Sequence, residues 1–348
     1  MDNNVLHHLD KKLIASIEKG EKKCYDLGHG EMGFSLYFYC LSRLKGDKAY
    51  KNRAKKLLDS VMAGIDTIQT IDIRTGLTGI GLGVDFLIKN SYVKGNINTI
   101  LQDIDDFIFR QLSFPKYYDS LEAMTMIEAL YYFSVRLASQ KKGSETEYLF
   151  KEIIIKTINN AYLKLEKTQL NGRFIYDAAY GLPLFLYVLS RIGRFGFYNV
   201  RIANILRELS PVVLSTVPAL HANRLFLLWG MSAIGEDMRP EGWNGHIRLL
   251  MRELDMEKIV NSELNDRNLY FSDGAVSLFL LAEQLREQLG EEAVSLFQKS
   301  LPAKIEQPEV WELLLQTGYY FEERRGLYDG YCGLSLLIRT QMTQIIRI

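Results

Sequence analysis

The chain has 348 residues, with 42 basic and 42 acidic side chains, so its formal net charge is zero. That balance excludes a protein drawn to nucleic acid or to an anionic membrane by its overall field. A composition of 47% hydrophobic and 24% charged residues excludes a disordered chain. The 7 prolines suit a chain that is mostly helix, because proline breaks the helical hydrogen-bond ladder.

Cys24, Cys40 and Cys332 cannot all pair, and none lies in a CxxC motif. This favours a reducing compartment and no disulfide scaffold. The N-terminal segment, Met1 to Lys12, is polar, carries Asp2, His7, His8 and Asp10, and has no signal-peptide stretch; His7 and His8 read as a solvated terminus. The longest apolar run, near Leu225–Trp229, is far short of the roughly 18 residues that cross a bilayer. The expectation is a soluble, cytoplasmic protein with no membrane insertion and no nucleic-acid partner.

A repeat runs through the chain. Gly28-His29-Gly30-Glu31-Met32-Gly33 leads into an apolar stretch from Phe34. Thr75-Gly76-Leu77-Thr78-Gly79-Ile80-Gly81 follows, then Tyr180-Gly181-Leu182-Pro183, Asp273-Gly274-Ala275 and Asp329-Gly330-Tyr331-Cys332-Gly333. Two degenerate copies, Ala123-Met124-Thr125-Met126 and Ala222-Asn223-Arg224-Leu225, carry alanine in place of the first glycine. The anchors fall near 30, 76, 123, 181, 222, 274 and 330, about fifty residues apart.

Each unit reads as a helix pair. The first helix, such as Phe34 to Leu44, is apolar all round and expected to be buried. The second is amphipathic. Ala49 to Ile65 puts Ala54, Leu57, Leu58, Val61 and Ile65 on one stripe, and Leu101 to Leu112, Ile153 to Leu165, Arg201 to Leu209 and Ile247 to Leu254 are similar. The pattern predicts an all-α fold over 1–348 as a single domain: seven helix-pair repeats in an α/α toroid, a double-layered helical barrel. A stack of helix pairs would give the same periodicity. The small residues at the inner-helix starts let backbones approach closely. The helix ends themselves favour an anionic or hydrogen-bonding ligand.

The stretches Gly28–Arg43, Thr75–Asn90, Ala179–Ile192, Ser272–Gln284 and Leu327–Thr340, with the seven-unit register, resemble the lanthionine synthetase C-like superfamily. The resemblance implies a functional site at the centre of one face. It also implies one zinc, held by a cysteine before the fifth glycine and a Cys-His pair before the sixth, that activates a substrate thiolate. A functional histidine is implied before the fourth. Here Leu220 stands at the first cysteine position, Ser272 and Asp273 replace the Cys-His pair, and Tyr180 takes the histidine position. No cysteine lies between Cys40 and Cys332. The expectation is therefore no metal and no cofactor, in a non-cyclising relative whose partner is a precursor peptide or a peptide-modifying enzyme.

The residues just before the anchors are His29, Thr75, Glu122, Tyr180, His221, Asp273 and Asp329; four before them stand Asp26, Asp72, Asp119 and Asp177. In a toroid these would line one mouth. The aspartates of the second set also suit helix capping. For chemistry the candidates are Asp273, Asp329, Glu122 and His221. A pair such as Asp273 and Asp329 could serve as general acid and base, as glycoside cleavage on a toroidal scaffold requires. Tyr25, Tyr118, Tyr176 and Tyr328 would then stack on sugars, or simply pack at the rim. A hard-ligand metal site from His221, Asp273 and Asp329, and hence a cyclase with atypical ligands, is a further alternative.

Other signals are weaker. The glycines of Gly76–Gly81 lack the Gly-Lys-Ser/Thr ending of a phosphate loop. The basic run Lys45, Lys48, Lys51, Arg53, Lys55 and Lys56 reads as a solvated outer face. Met124 and Met126 read as core filling, and Trp229, Trp243 and Trp311 as packing between units.

Overall fold

The computed structural model describes residues 3–20, 23–165, 181–264, 268–272, 274–306 and 309–343. Among them the regular elements are all helical. Those of at least ten residues are, in chain order, α1 (Asn3–Lys19), α2 (Glu31–Lys45), α3 (Lys48–Gly64), α4 (Leu77–Lys89), α5 (Gln102–Ser113), α6 (Ala123–Leu137) and α7 (Glu145–Lys164). They continue with α8 (Gly181–Gly193), α9 (Asn199–Ser215), α10 (His221–Ala233), α11 (Trp243–Arg252), α12 (Ala275–Gln284), α13 (Glu291–Glu306) and α14 (Tyr331–Thr343). No described helix is long and apolar enough to cross a membrane.

The helices alternate as the sequence predicts. In α2 every residue from Met32 to Leu41 is buried, whereas α3 buries only Ala54, Val61 and Gly64. Full burial of the first helix of a pair, and a single buried stripe on the second, is what two layers require. Two outer helices, α3 and α7, start on side-chain caps, where Asp47 accepts from Ala49 N–H and Ser144 accepts from Glu147 N–H, whereas α9 and α11 start without one. The inner helices α2, α4, α6 and α10 start without one.

Two compact units divide the chain. One comprises Met1–Gln102, Leu264–Ser277 and Gln298–Ile348; the other comprises Asp103–Glu263 and Leu278–Phe297. In the first unit α2 packs against α3, α4 and α14, so the last repeat sits on the first. A buried polar cluster joins them to α1. Leu6, Leu9 and Leu13 of α1 are fully buried, and Asp10 lies on the same face. Its carboxylate accepts from Tyr37 Oη (2.5 Å), Tyr331 Oη (2.7 Å), Arg339 Nη2 (2.9 Å) and Lys45 Nζ (3.1 Å). Lys45 is exposed, as the sequence placed it, yet reaches this buried carboxylate, and His7 and His8 are exposed as expected. In the second unit α6 packs on α7, α8 on α6 and α10, and α10 on α11. Arg136, fully buried, forks onto Asp105 there.

Trp243 is fully buried with Nε1 on Ser210, and Trp311 donates to the Ile305 carbonyl. Trp229 stacks on Tyr187 at 4.5 Å. Met126 is buried.

Two substitutions separate glycines that the fold needs from those it tolerates. A Cβ on Gly79 would stand 1.8 Å from the Ile73 carbonyl oxygen, whereas a Cβ on Gly245 in α11 meets nothing within 4 Å. Gly79→Ala is expected to destabilise by at least about 1–3 kcal/mol through overpacking. Gly245→Ala is expected to stabilise by about 0.5–1 kcal/mol through helix propensity. Urea unfolding of both variants measures this. Equal effects would show that the Gly79 approach is not a constraint.

Candidate functional site

The glycine loops of the first unit share one geometry. The first N–H of each inner helix bonds a carbonyl seven residues earlier: Glu31 to Cys24 (2.7 Å), Leu77 to Thr70 (3.0 Å), Ala275 to Asn268 (3.1 Å) and Tyr331 to Arg324 (2.7 Å). This explains the missing side-chain caps. A second set of bonds links the residues two before each anchor. Ser272 N–H donates to Tyr328 O (3.1 Å), Tyr328 N–H to Gly28 O (3.2 Å) and Gly28 N–H to Arg74 O (2.8 Å). The sixth, seventh, first and second repeats are therefore stitched in order by backbone.

Asp26 and Asp72 are spent inside these loops. Asp26 Oδ1 accepts from the N–H groups of His29 (2.7 Å) and Gly30 (3.0 Å), and its Oδ2 accepts from Cys24 Sγ at 2.8 Å. Asp72 accepts from the N–H (2.6 Å) and hydroxyl (2.8 Å) of Thr75. Of the two expected roles for these aspartates, this is the loop-stabilising geometry. Tyr25 lies across Gly64, where a Cβ would stand 2.2 Å from the ring. That is rim packing.

His29 and Asp329 do come together. His29 Nε2 is 3.1 Å from Asp329 Oδ2, and Arg74 Nη2 donates to the same oxygen. Arg74 also reaches His29 Nε2 from Nε (3.2 Å) and Nη2 (2.9 Å). The ring has two ways to join. With its proton on Nε2 it donates to Asp329; with the proton on Nδ1 it accepts from Arg74. Asp329 is only 4% exposed, and its Oδ1 has no hydrogen-bond partner among the described residues. Burial pushes the carboxyl pKa up, but hydrogen bonding from His29, the nearby Ser272 hydroxyl and the Arg74 charge outweigh it. The net direction is below the ordinary aspartate value, so Asp329 stays ionised. Tyr328 flanks the cluster, 5.6 Å from Arg74 Cζ and 5.2 Å from the Phe271 ring.

In the second unit the loops are braced by charge. Glu122 is the exposed N-terminal flank of α6 and caps nothing with its side chain. Asp119 is exposed, and its carbonyl, with those of Tyr118 and Leu121, accepts from Lys164 Nζ at 2.7–2.9 Å. At α10 the N–H groups of His221 and Ala222 donate to the Glu263 carboxylate (2.7 and 2.9 Å). A carboxylate there also suits the helix dipole. His221 is buried, and its Nδ1 accepts from Asp255 N–H at 3.1 Å. Tyr180, Asp177, Asp273 and Tyr176 lie outside the described residues.

At the positions where zinc ligands are implied, Leu220 is the N-terminal flank of α10 and offers no donor atom, and Ser272 is half-buried in the backbone ladder. Cys40 and Cys332 are buried, and Cys24 is exposed. Partial burial of its sulfur and the bond to Asp26 push the Cys24 thiol up to about 11. Among the described residues no group of three or more His, Cys, Asp and Glu stands together as a metal site.

Sequence reasoning missed Arg74, Asp10, Lys164 and Glu263. Arg74 stands two before its anchor, opposite Gly28, a position at which the other repeats of the ladder carry Gly28, Ser272 and Tyr328 and so show no shared charge. Asp10 carried a signal, since it interrupts the apolar face formed by Leu6, Leu9 and Leu13.

The chain shares an all-α toroid fold with a solved structure. A solved structure titled "Nisin cyclase" aligns with 99% of this chain and 95% of its own, with a TM-score of 0.64 and 13% sequence identity. No family model matches the chain, and no curated protein matches it.

The cluster has an acid signature. A carboxyl whose folded pKa is lowered contributes stability in full above its ordinary value of about 3.9, and loses it as the pH falls through the folded value. Asp329→Asn is expected to cost about 1–3 kcal/mol at neutral pH by unpairing Arg74 and His29. The same change should flatten the loss of stability below about pH 4. Urea titrations of both proteins across that range measure it; parallel acid limbs would show that Asp329 is not ionised in the folded cluster.

Proposed function

We propose that this chain is a lanthionine synthetase C-like protein that binds a precursor peptide, or an enzyme modifying one, without closing lanthionine rings by zinc-thiolate chemistry. In this reading it acts in the cytoplasm as one seven-repeat domain. The observation that carries the reading is the donor set. Where zinc ligands are implied stand Leu220, Ser272 and Asp273, and no cysteine lies between Cys40 and Cys332. The residues present do not fit a thiolate-held zinc. The remaining thiols point the same way, since Cys24 is held as a neutral thiol and burial raises Cys40 and Cys332. The fold of a protein titled a cyclase supports a peptide substrate class, although fold does not by itself set function.

A second reading has one observation in its favour. Asp329 is a buried, ionised carboxylate beside an imidazole, an arrangement suited to a base. Its lowered pKa removes it as the general acid of a glycosidase pair, so that reading needs its acid elsewhere.

The test is metal content of chelator-washed protein by elemental mass spectrometry, with free thiols followed in a dehydrated, cysteine-containing peptide. The expected result is no stoichiometric zinc and no thiol loss beyond the spontaneous rate, with the peptide still bound in calorimetry. About one zinc per chain with enzyme-dependent thiol loss would overturn the proposal.

A further inference from the structure

Arg74 is held as few surface arginines are. Its stem crosses Gly28, where a Cβ would lie 2.9 Å from Arg74 Cγ, so only glycine leaves this channel open. At the far end Asp329, buried in the seventh repeat, takes Nη2, and His29 of the first repeat stands beside Nη2 and Nε. The Tyr328 ring flanks the guanidinium. A glycine floor, a buried carboxylate and an aromatic side thus fix a side chain that otherwise has about 2 kcal/mol of rotamer entropy to lose.

Fixing one edge leaves the other exposed. Nη1 has no hydrogen-bond partner among the described residues, and the side chain is 47% exposed. The first N–H of each helix beside it is already taken, by the carbonyls of Cys24, Thr70 and Arg324, which leaves fewer backbone donors there for an anion. A side-chain cation beside these loops adds to what the backbone offers an anion. Arg74 is the cation placed for it, with the His29 ring, 33% exposed, alongside. A planar oxyanion can take the free Nη1 protons while Asp329 keeps the guanidinium from turning away.

We propose that Arg74, braced by Asp329 and flanked by His29 and Tyr328, recognises a carboxylate of the bound peptide. This rests on the peptide-binding reading above. The carboxylate has two sources, the peptide C-terminus or an acidic side chain, and both present the same group to Nη1.

The experiment titrates the full chain calorimetrically with one acetylated alanine-phenylalanine peptide in three forms: free acid, C-terminal amide, and amide with one alanine replaced by glutamate. The expected result is that a carboxylate form binds about tenfold tighter than the amide. Preference for the free acid assigns the C-terminus, and preference for the glutamate form assigns the side chain. Arg74→Ala should erase the difference between carboxylate and amide forms, each compared within that variant, and should also lower the thermal midpoint, because it leaves the buried Asp329 carboxylate without its cation. Arg74→Lys keeps the charge and stem but not the fork, and should lose most of the preference; it decides the matter should the alanine variant not fold. Equal binding of all three forms, or a carboxylate preference that survives both substitutions, overturns the proposal and leaves peptide binding standing. No binding by any form overturns both.

Discussion

The approach of each inner helix to the loop before it is the constraint on which the first unit rests. The glycine three residues after the anchor lies against the carbonyl three residues before it: Gly33 on Leu27, Gly79 on Ile73, Gly333 on Leu327, each with room for no Cβ. That contact brings the loop under the helix end, where its carbonyls take the first helical N–H groups. With the loops fixed, the residues two before each anchor meet in a backbone ladder from the sixth repeat to the second. The site is a by-product of this ladder. It places Arg74 across Gly28 and sets His29 and Asp329 face to face.

Where the glycines fail, another device takes over. The third and fifth repeats have alanine at the anchor, and a charged side chain secures each of their loops: Lys164 gathers three carbonyls, and Glu263 takes two N–H groups. Both solutions pair backbone groups of the loop within the protein. They differ in what they leave over. Backbone satisfied by backbone leaves the side chains of those loops free for other contacts, whereas Lys164 and Glu263 are taken up by the bracing.

The electrostatics of the first unit hold its thiols protonated and its buried carboxylates ionised or paired. Cys24 shares its proton with Asp26 and is pushed up, the opposite of what a nucleophile or metal ligand needs. Asp329 is ionised and committed to a cation. The buried Asp10 cluster is structural: it ties α1 to α2 and α14 with one carboxylate serving two tyrosines, an arginine and a lysine. Such a cluster stabilises only while every member is present, because a buried charge stripped of its partner costs about 3–5 kcal/mol.

Helix content, the alternation of buried and amphipathic helices, the repeat register and the loss of sulfur at the implied zinc positions were all legible in the amino-acid sequence. Each depends on residue type and spacing along one chain. The loop roles of Asp26 and Asp72 were legible as one of two readings, because a cap acts within a few residues. The pairing of His29 with Asp329, 300 positions apart in the chain, was not legible, nor was the part played by Arg74. Those depend on which loops become neighbours and on the direction each side chain takes from its loop. Short-range preferences set the elements, but only packing of the last repeat against the first brings a buried carboxylate, an imidazole and a guanidinium to one point, since no local rule acts over that separation.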